Sequence, residues 1–398
     1  MKKLMVLAAG LLQMPVIKKA QEKGYYVIAV DDDPDAPGMA QADKAIVPNG
    51  LVNEEKMLAI AKEEQIDGVI HPCSEVAMSV MGRINDELGL SGISKEMALR
   101  ATNKHLMREA FKAYGAPSPK SKCFSNVEVA WRSFCTDFYG DAILKPSRNS
   151  GSRGIAKIDK VIKGSEFAKL FERAKEESRD KSVMLEQYIE GPEFSVEIIV
   201  WNGKVNVLQV TDKKTTGVPY FVELGHNQPS LFPKDIVEGV KHAAMMGVRA
   251  LKVNNCACHA EIKVQDGKAY IMEIGARLGG DFISTELTHL STGIDMVGAA
   301  VDVALGIEPN LNPVADSQGV AIRYFVPNPG KVVSIANTKL FNQTEVYDAK
   351  IYVKPGDIVC DVKSSLDRSG HVIVKAASVE KAIEIADNLV CSVIIKTE

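Results

Sequence analysis

Glu261 and Glu273 fall in a stretch patterned as a β-hairpin, His259-Ala260-Glu261-Ile262-Lys263-Val264-Gln265-Asp266-Gly267-Lys268-Ala269-Tyr270-Ile271-Met272-Glu273. Successive side chains on a strand point to opposite faces. Ala260, Ile262 and Val264, then Tyr270, Met272 and Ile274, are all even-numbered. They share one buried face only if the connecting loop is odd. A three-residue loop, Gln265-Asp266-Gly267 with Gly267 left-handed, meets that demand. It gathers His259, Glu261 and Glu273 on the polar face. Two carboxylates on adjacent strands suit a hard cation, Mg²⁺ or Mn²⁺, that shares its coordination with nucleotide phosphates. The competing reading is a hairpin with one face in solvent, where charges are ordinary. The chain continues into Gly275-Ala276-Arg277-Leu278-Gly279-Gly280-Asp281. Glycines there, Gly279 and Gly280 among them, let backbone approach a ligand. Arg277 could stabilise a developing oxyanion or simply form a surface ion pair.

Three other stretches carry chemistry. Lys145-Pro146-Ser147-Arg148-Asn149-Ser150-Gly151-Ser152-Arg153-Gly154 places a lysine at a strand end before a small-residue loop. Such a loop can turn N–H groups onto phosphate oxygens, or be a solvated hairpin tip. Glu186-Gln187-Tyr188-Ile189-Glu190-Gly191-Pro192-Glu193 ends a strand in a glycine turn and resumes at a carboxylate. Strand-edge backbone can read an adenine edge, and Glu193 could hold ribose hydroxyls; an ordinary turn is the alternative. In Tyr220 to Pro229, Glu223 and His226 could bind an amino group or serve as a base, or the segment only packs. Ser74 and Glu75 follow the fourth strand, at the carboxyl edge where parallel sheets place ligands. The turn Asp367-Arg368-Ser369-Gly370-His371 could cap a site from the C-terminal region or be a plain turn. The first glycine turn, Ala8-Ala9-Gly10-Leu11-Leu12-Gln13, lacks two of the three glycines of a dinucleotide fingerprint, although Asp31 sits at the acidic position.

These residues need a scaffold. Up to about residue 95 strands and helices alternate, which predicts a parallel sheet covered on both faces. Beyond Gly115-Ala116-Pro117-Ser118-Pro119 the pattern becomes α+β, with strands near 141–146, 155–159, 183–189, 194–201, 204–212 and 219–224. Helices are expected near 103–118, 164–177, 234–251, 282–290 and 294–305. The fold class is α/β plus α+β. The divisions are a Rossmann-like domain at 1–102, a second domain at 103–310 and a small α+β domain at 311–398.

The chain has 398 residues, 48 basic and 51 acidic, for a net charge of −3, with 46% hydrophobic residues. This is a globular balance. It excludes disordered and collagen-like chains and offers no basic excess for nucleic acid. Seven cysteines without a C-x-x-C point to reduced thiols. Lys2-Lys3 before an apolar run imitates a signal peptide, but no cleavage site follows. No apolar stretch is long enough for a membrane span. A cytoplasmic protein is expected.

In order, Asn103-Lys104, Lys145 with its loop, Glu186-Gln187-Tyr188, Gly191-Pro192-Glu193, His259-x-Glu261 and Glu273-Ile274-Gly275-Ala276-Arg277 resemble the ATP-grasp superfamily. The likeness extends to L-amino-acid ligases, biotin carboxylase and carbamoyl-phosphate synthase. It covers nearly the whole chain, with a C-terminal domain similar to those of biotin carboxylase and the amino-acid ligases. It implies that ATP and Mg²⁺ (or Mn²⁺) are cofactors. Lys104 and Lys145 would contact phosphates, and the loop through Ser150, Gly151, Ser152, Arg153 and Gly154 would close as part of a lid at about 120–186. Glu186, Gln187, Tyr188 and Ile189 would surround adenine, and Glu193 would bind ribose. Glu261 and Glu273 would hold metal. Lys145 and Arg277 would be catalytic, Arg277 stabilising an acyl phosphate or tetrahedral intermediate. Glu75, Glu223, His226, Arg277, Gly279 and Gly280 are the substrate candidates. Many members carry Asn where this chain has Gly275. The implied activity is ADP-forming ligation of a small-molecule carboxylate, such as an amino acid, to an amine or thiol through an acyl phosphate, and the implied partner is a second copy in a homodimer. Alternatives are a carboxylase or formate- or bicarbonate-activating enzyme, and a nucleotide-binding module without turnover.

Overall fold

A computed structural model describes residues 1–149 and 153–398. The first domain is built on four parallel strands in the order Lys44–Ile46, Tyr26–Val30, Lys3–Leu7, Gly68–Ile70. Lys3–Leu7 is buried because both faces are covered. Met5 and Leu7 join one apolar cluster with Met57, Leu58 and Met78, and Leu4 and Val6 join another with Val16, Ile17 and Val301. Asp31, at the acidic fingerprint position, accepts from the Ala9 N–H at 2.7 Å. It braces the first turn, in which Ala8 has a φ of +66°.

The helix expected at 103–118 spans Lys104–Tyr114, and a helix that was not foreseen, Lys95–Thr102, precedes it. Asn103 is extended between them, and its side chain accepts from the Leu106 N–H at 3.1 Å. This cap starts the second helix and sets Lys104 in its first turn. A small antiparallel sheet follows, ordered Ser121–Phe124, Val183–Gln187, Ala142–Pro146, Ala156–Ile158. The strand at 121–124 and the helix Val127–Asp137 were not foreseen. The helix is rich in β-branched and aromatic residues, and what starts it is the Asn126 side chain, which accepts from Glu128 and Val129.

The second sheet is antiparallel and has eight strands, ordered Lys268–Gly275, Cys256–Gln265, Glu193–Trp201, Lys204–Thr215, Glu223–Gln228, Gly319–Tyr324, Gly370–Ala376, Val346–Ile351. It runs unbroken across the boundary expected at 310/311. The strand expected at 219–224 lies at 223–228, so Tyr220 and Phe221 belong to the preceding loop. Gly191 has a φ of +126°, and a Cβ there would lie 2.1 Å from the Val264 carbonyl oxygen. Glycine is therefore required in the turn that delivers Glu193 to the sheet. Among the described residues no helix is long and apolar enough to cross a membrane.

Candidate active site

Glu261 and Glu273 are direct cross-strand partners. The expected three-residue loop is not how they align. The turn has two residues, Asp266 at φ +51° and Gly267 at φ +73°, between the paired Gln265 and Lys268. Two consecutive positive φ angles make a tight turn whose twist matches the hairpin. The odd residue is instead a β-bulge at Met272, since Glu261 pairs with Glu273 but Ile262 pairs with Ile271. Consequently Ile271 enters the core with Ile274, while Tyr270 and Met272 are only half-buried.

Each carboxylate has a buried lysine. Lys104 Nζ lies 3.0 Å from Glu273 Oε1 and 3.0 Å from the Asn149 carbonyl. Lys213 Nζ is 3.3 Å from Glu261, 2.6 Å from Glu193 and 3.5 Å from Glu223. Burial opposes the charge of Lys213, but its three glutamates outweigh that and hold it well above its ordinary pKa. Glu261 is held well below the usual carboxylate range, chiefly by Lys213, against burial. Glu75 approaches from the first domain, and burial together with the negative charge of Glu273 pushes it up to about 7.

Glu186 is different. Its side chain is 4% exposed, with Arg108 Nε at 2.9 Å and Lys145 Nζ at 2.6 Å. Burial would raise its pKa, but Arg108 and then Lys145 outweigh it and bring the value to about 2. The Glu186 carboxylate, expected beside the adenine amino group, has both oxygens on protein cations while the residue borders the lobe of Gln187 and Tyr188.

His259 Nδ1 is 2.5 Å from Glu197 Oε1, and Glu197 also accepts from Ser284 Oγ. His259 Nε2 faces Glu261 at 3.8 Å. Burial opposes protonation of His259, but Glu197 prevails and raises it to about 9. Arg277 curls back over Gly275, and a Cβ at 275 would stand 3.3 Å from Arg277 Cγ, Cζ and Nε. A larger residue at 275 would require the Arg277 side chain to give way by a few tenths of an ångström. Its Nη1 donates to the Leu278 carbonyl at 3.0 Å, and its buried Nε has no hydrogen-bond partner among the described residues.

The cleft has two lobes. One, of about 200 Å³, is lined by Glu75, Lys104, Lys145, Arg153, Glu223, His259, Glu261, Glu273 and Arg277, with Lys363, Ser364 and Ser365. The other, of about 160 Å³, is lined by Glu186, Gln187, Tyr188, Ile189, Glu193, Lys213, Phe221, Lys263 and Met272. Lys104, Lys145, Ile155, Phe221, Glu223, Glu261 and Glu273 border both, so they form one continuous cleft between the two sheets.

Three substrate candidates do not reach it. His226 is fully buried in its strand, with Nε2 3.4 Å from Asp281. Gly279 packs on His259 and donates to Ser284 Oγ, and neither it nor Gly280 lines the cleft. Gly154 packs against Pro146 and Glu177 at a φ of +75°. Ser150, Gly151 and Ser152 lie outside the described residues. Sequence reasoning missed Lys213, Arg108, Glu197 and the 363–365 segment. Lys213 stands directly across from Glu193 in the sheet, a pairing that spacing along the sequence does not reveal.

The donor set fits a hard cation. Among the described residues no group of three or more His, Cys, Asp or Glu could hold a metal alone. Two opposed carboxylates beside buried lysines are what Mg²⁺ takes when phosphate and water oxygens complete its shell.

The strand order, the opposed glutamates and the two-sheet cleft define a class. Residues 140–286 match the ATP-grasp domain family. Over that segment the chain carries an ATP-grasp domain. Its C-terminal region, residues 323–398, matches L-amino acid ligase C-terminal domain 2. Alanine–anticapsin ligase of Bacillus subtilis is 26% identical over 316 residues, covering 74% of this chain and 66% of that protein. The chain thus spans about two thirds of the length of that relative. Dapdiamide A synthase of Enterobacter agglomerans is 24% identical over 82% of this chain and 79% of its own length. The solved L-amino acid ligase of Bacillus licheniformis superposes with a TM-score of 0.83 at 19% identity, covering 100% of this chain and 99% of that one, which speaks for the fold.

Proposed function

We propose that this chain is an ADP-forming carboxylate–amine ligase acting on small molecules through an acyl phosphate. The observation that carries the reading is the facing pair Glu261 and Glu273 in a cleft that also holds Lys104, Lys145 and Arg277. The names of the relatives, alanine–anticapsin ligase and dapdiamide A synthase, favour amide formation over activation of bicarbonate or formate.

ATP lies with its adenine in the lobe of Gln187, Tyr188 and Ile189, where strand-end backbone reads the base edge. Its phosphates point toward Lys104, Lys145 and Arg153. A substrate carboxylate attacks the γ-phosphorus, forming a P–O bond as ADP leaves. The amine then attacks the acyl carbon, phosphate departs with the C–O bond electrons, and the proton lost from the amine nitrogen leaves with the phosphate or to water. Glu261 and Glu273 would hold Mg²⁺, which supplies neutralisation of phosphate charge. The lysines add fixed charge in a partly desolvated site, where it acts strongly. Arg277, with an unsatisfied Nε, offers its guanidinium to the oxygens of the acyl phosphate. Positioning supplies most of the remaining acceleration.

Hydroxylamine trapping tests this. Protein, Mg-ATP and hydroxylamine are mixed with a panel of amino acids, hydroxy acids and sugar acids. A hydroxamate with matching ADP release establishes the ligase and names the donor. ADP release that depends on bicarbonate or formate and needs no amine overturns it.

A further inference from the structure

The C-terminal domain reaches into the cleft through one segment. Lys363, Ser364 and Ser365 line only the lobe that holds Glu75, His259 and Arg277, away from the adenine lobe. Arg368 anchors that segment. Its Nη1 and Nη2 meet both oxygens of Asp281 at 2.6 and 2.8 Å, and its Nε donates to the Ser365 carbonyl at 2.8 Å. The guanidinium also lies 3.7 Å from the centroid of the Tyr324 ring. Ser365 Oγ donates to Glu223 at 3.2 Å. On the far side of the latch, Asp281 and Phe282 both hold left-handed φ angles, +53° and +62°. Consecutive non-glycine residues there are costly and persist only where their surroundings hold them. A two-pronged arginine–carboxylate pair is strong enough to do so.

Arg368 is neutralised by Asp281. Lys363 has no carboxylate within ion-pair distance among the described residues and is exposed at the cleft. The cations facing the phosphates, Lys104, Lys145 and Arg153, belong to other elements of the chain. We propose that the 363–365 segment, latched by Arg368 to Asp281, is the wall that selects the second substrate, with Lys363 reading a carboxylate on it that takes no part in the reaction. This rests on the ligase reading above.

The test uses the full chain, Mg-ATP and the panel of donor carboxylates, with acceptors in matched pairs: glycine and glycinamide, L-alanine and L-alaninamide. ADP release is followed. Wild type is expected to prefer the free acids about tenfold or more, the scale of one charge-assisted contact. Lys363→Ala is expected to cut that preference below about threefold by raising KM for the acid, with kcat and KM for ATP within about twofold. Arg368→Gln should act in the same direction, and Arg368→Lys should retain part of the preference. An unchanged preference in Lys363→Ala, or a rise confined to KM for ATP, overturns the inference while leaving the ligase reading intact. No ADP release by wild type with any pair overturns both.

Discussion

The cleft contains two carboxylate–lysine clusters that look alike in sequence and behave in opposite ways. At the back, Glu186 is 4% exposed and sits between Arg108 and Lys145. At the front, Glu273 and Glu261 are 25% and 34% exposed and face the cavity beside Lys104 and Lys213. The rear cluster balances its charges within the protein, so it holds the small sheet to the helix Lys104–Tyr114. The front cluster is open on one side, so a cation or phosphate can enter it. Both clusters border the cleft, but only the front one leaves its carboxylates partly open to it.

Removing Glu186 should cost the most. Glu186→Gln leaves Arg108 and Lys145 buried without a counter-charge, a loss of about 3–5 kcal/mol. Denaturant unfolding measures it, and an unchanged midpoint would mean that the rear cluster is not the brace described. Glu273→Gln should do the reverse: turnover falls about 10²-fold or more, with ATP binding partly kept and the melting temperature little changed. If turnover survives, the metal assignment fails.

Acid sharpens the same contrast. The Glu186 pKa is depressed from 4.5 to about 2 in the folded chain. Stability from that group is complete above 4.5 and drains as pH falls toward 2, because the unfolded state takes up the proton first. Glu186→Gln should therefore flatten the acid limb of a stability-against-pH curve. An unaltered slope would show that another carboxylate governs acid unfolding. A smaller effect concerns the loop at the phosphate end: Mg-ATP should slow tryptic cleavage after Arg148 and Arg153, and unchanged cleavage would count against a lid that closes on nucleotide.

Local signals made much of this scaffold legible. The helix Gly164–Glu177, expected at 164–177, was readable because Phe167, Phe171 and Ala174 recur at helical spacing on its buried face. The helix Val127–Asp137 was not, because its propensity argues for a strand and only one capping side chain argues otherwise. In the site, the acidic pair and Lys104 were legible as types at spacings. Arg108, Glu197 and the 363–365 segment were not, since each acts through a partner 62 or more residues away in the chain. His226 misled for a related reason. It lies near Glu223 in sequence, yet the strand turns it into the core.

The hairpin shows how a correct face assignment can rest on a wrong turn. The alignment of Glu261 with Glu273 is set by the bulge at Met272, and the turn Asp266-Gly267 only closes the far end. The two features are therefore separable. Gly267→Ala forces a side chain into φ +73° and should cost about 1 kcal/mol in stability. Asp266→Asn should cost almost nothing, since Asn-Gly favours the same turn. Neither should change turnover, because the bulge lies five residues from the turn and the pairing of Glu261 with Glu273 lies beyond it. A Gly267→Ala enzyme that folds but loses activity would place control of the carboxylate register in the turn after all.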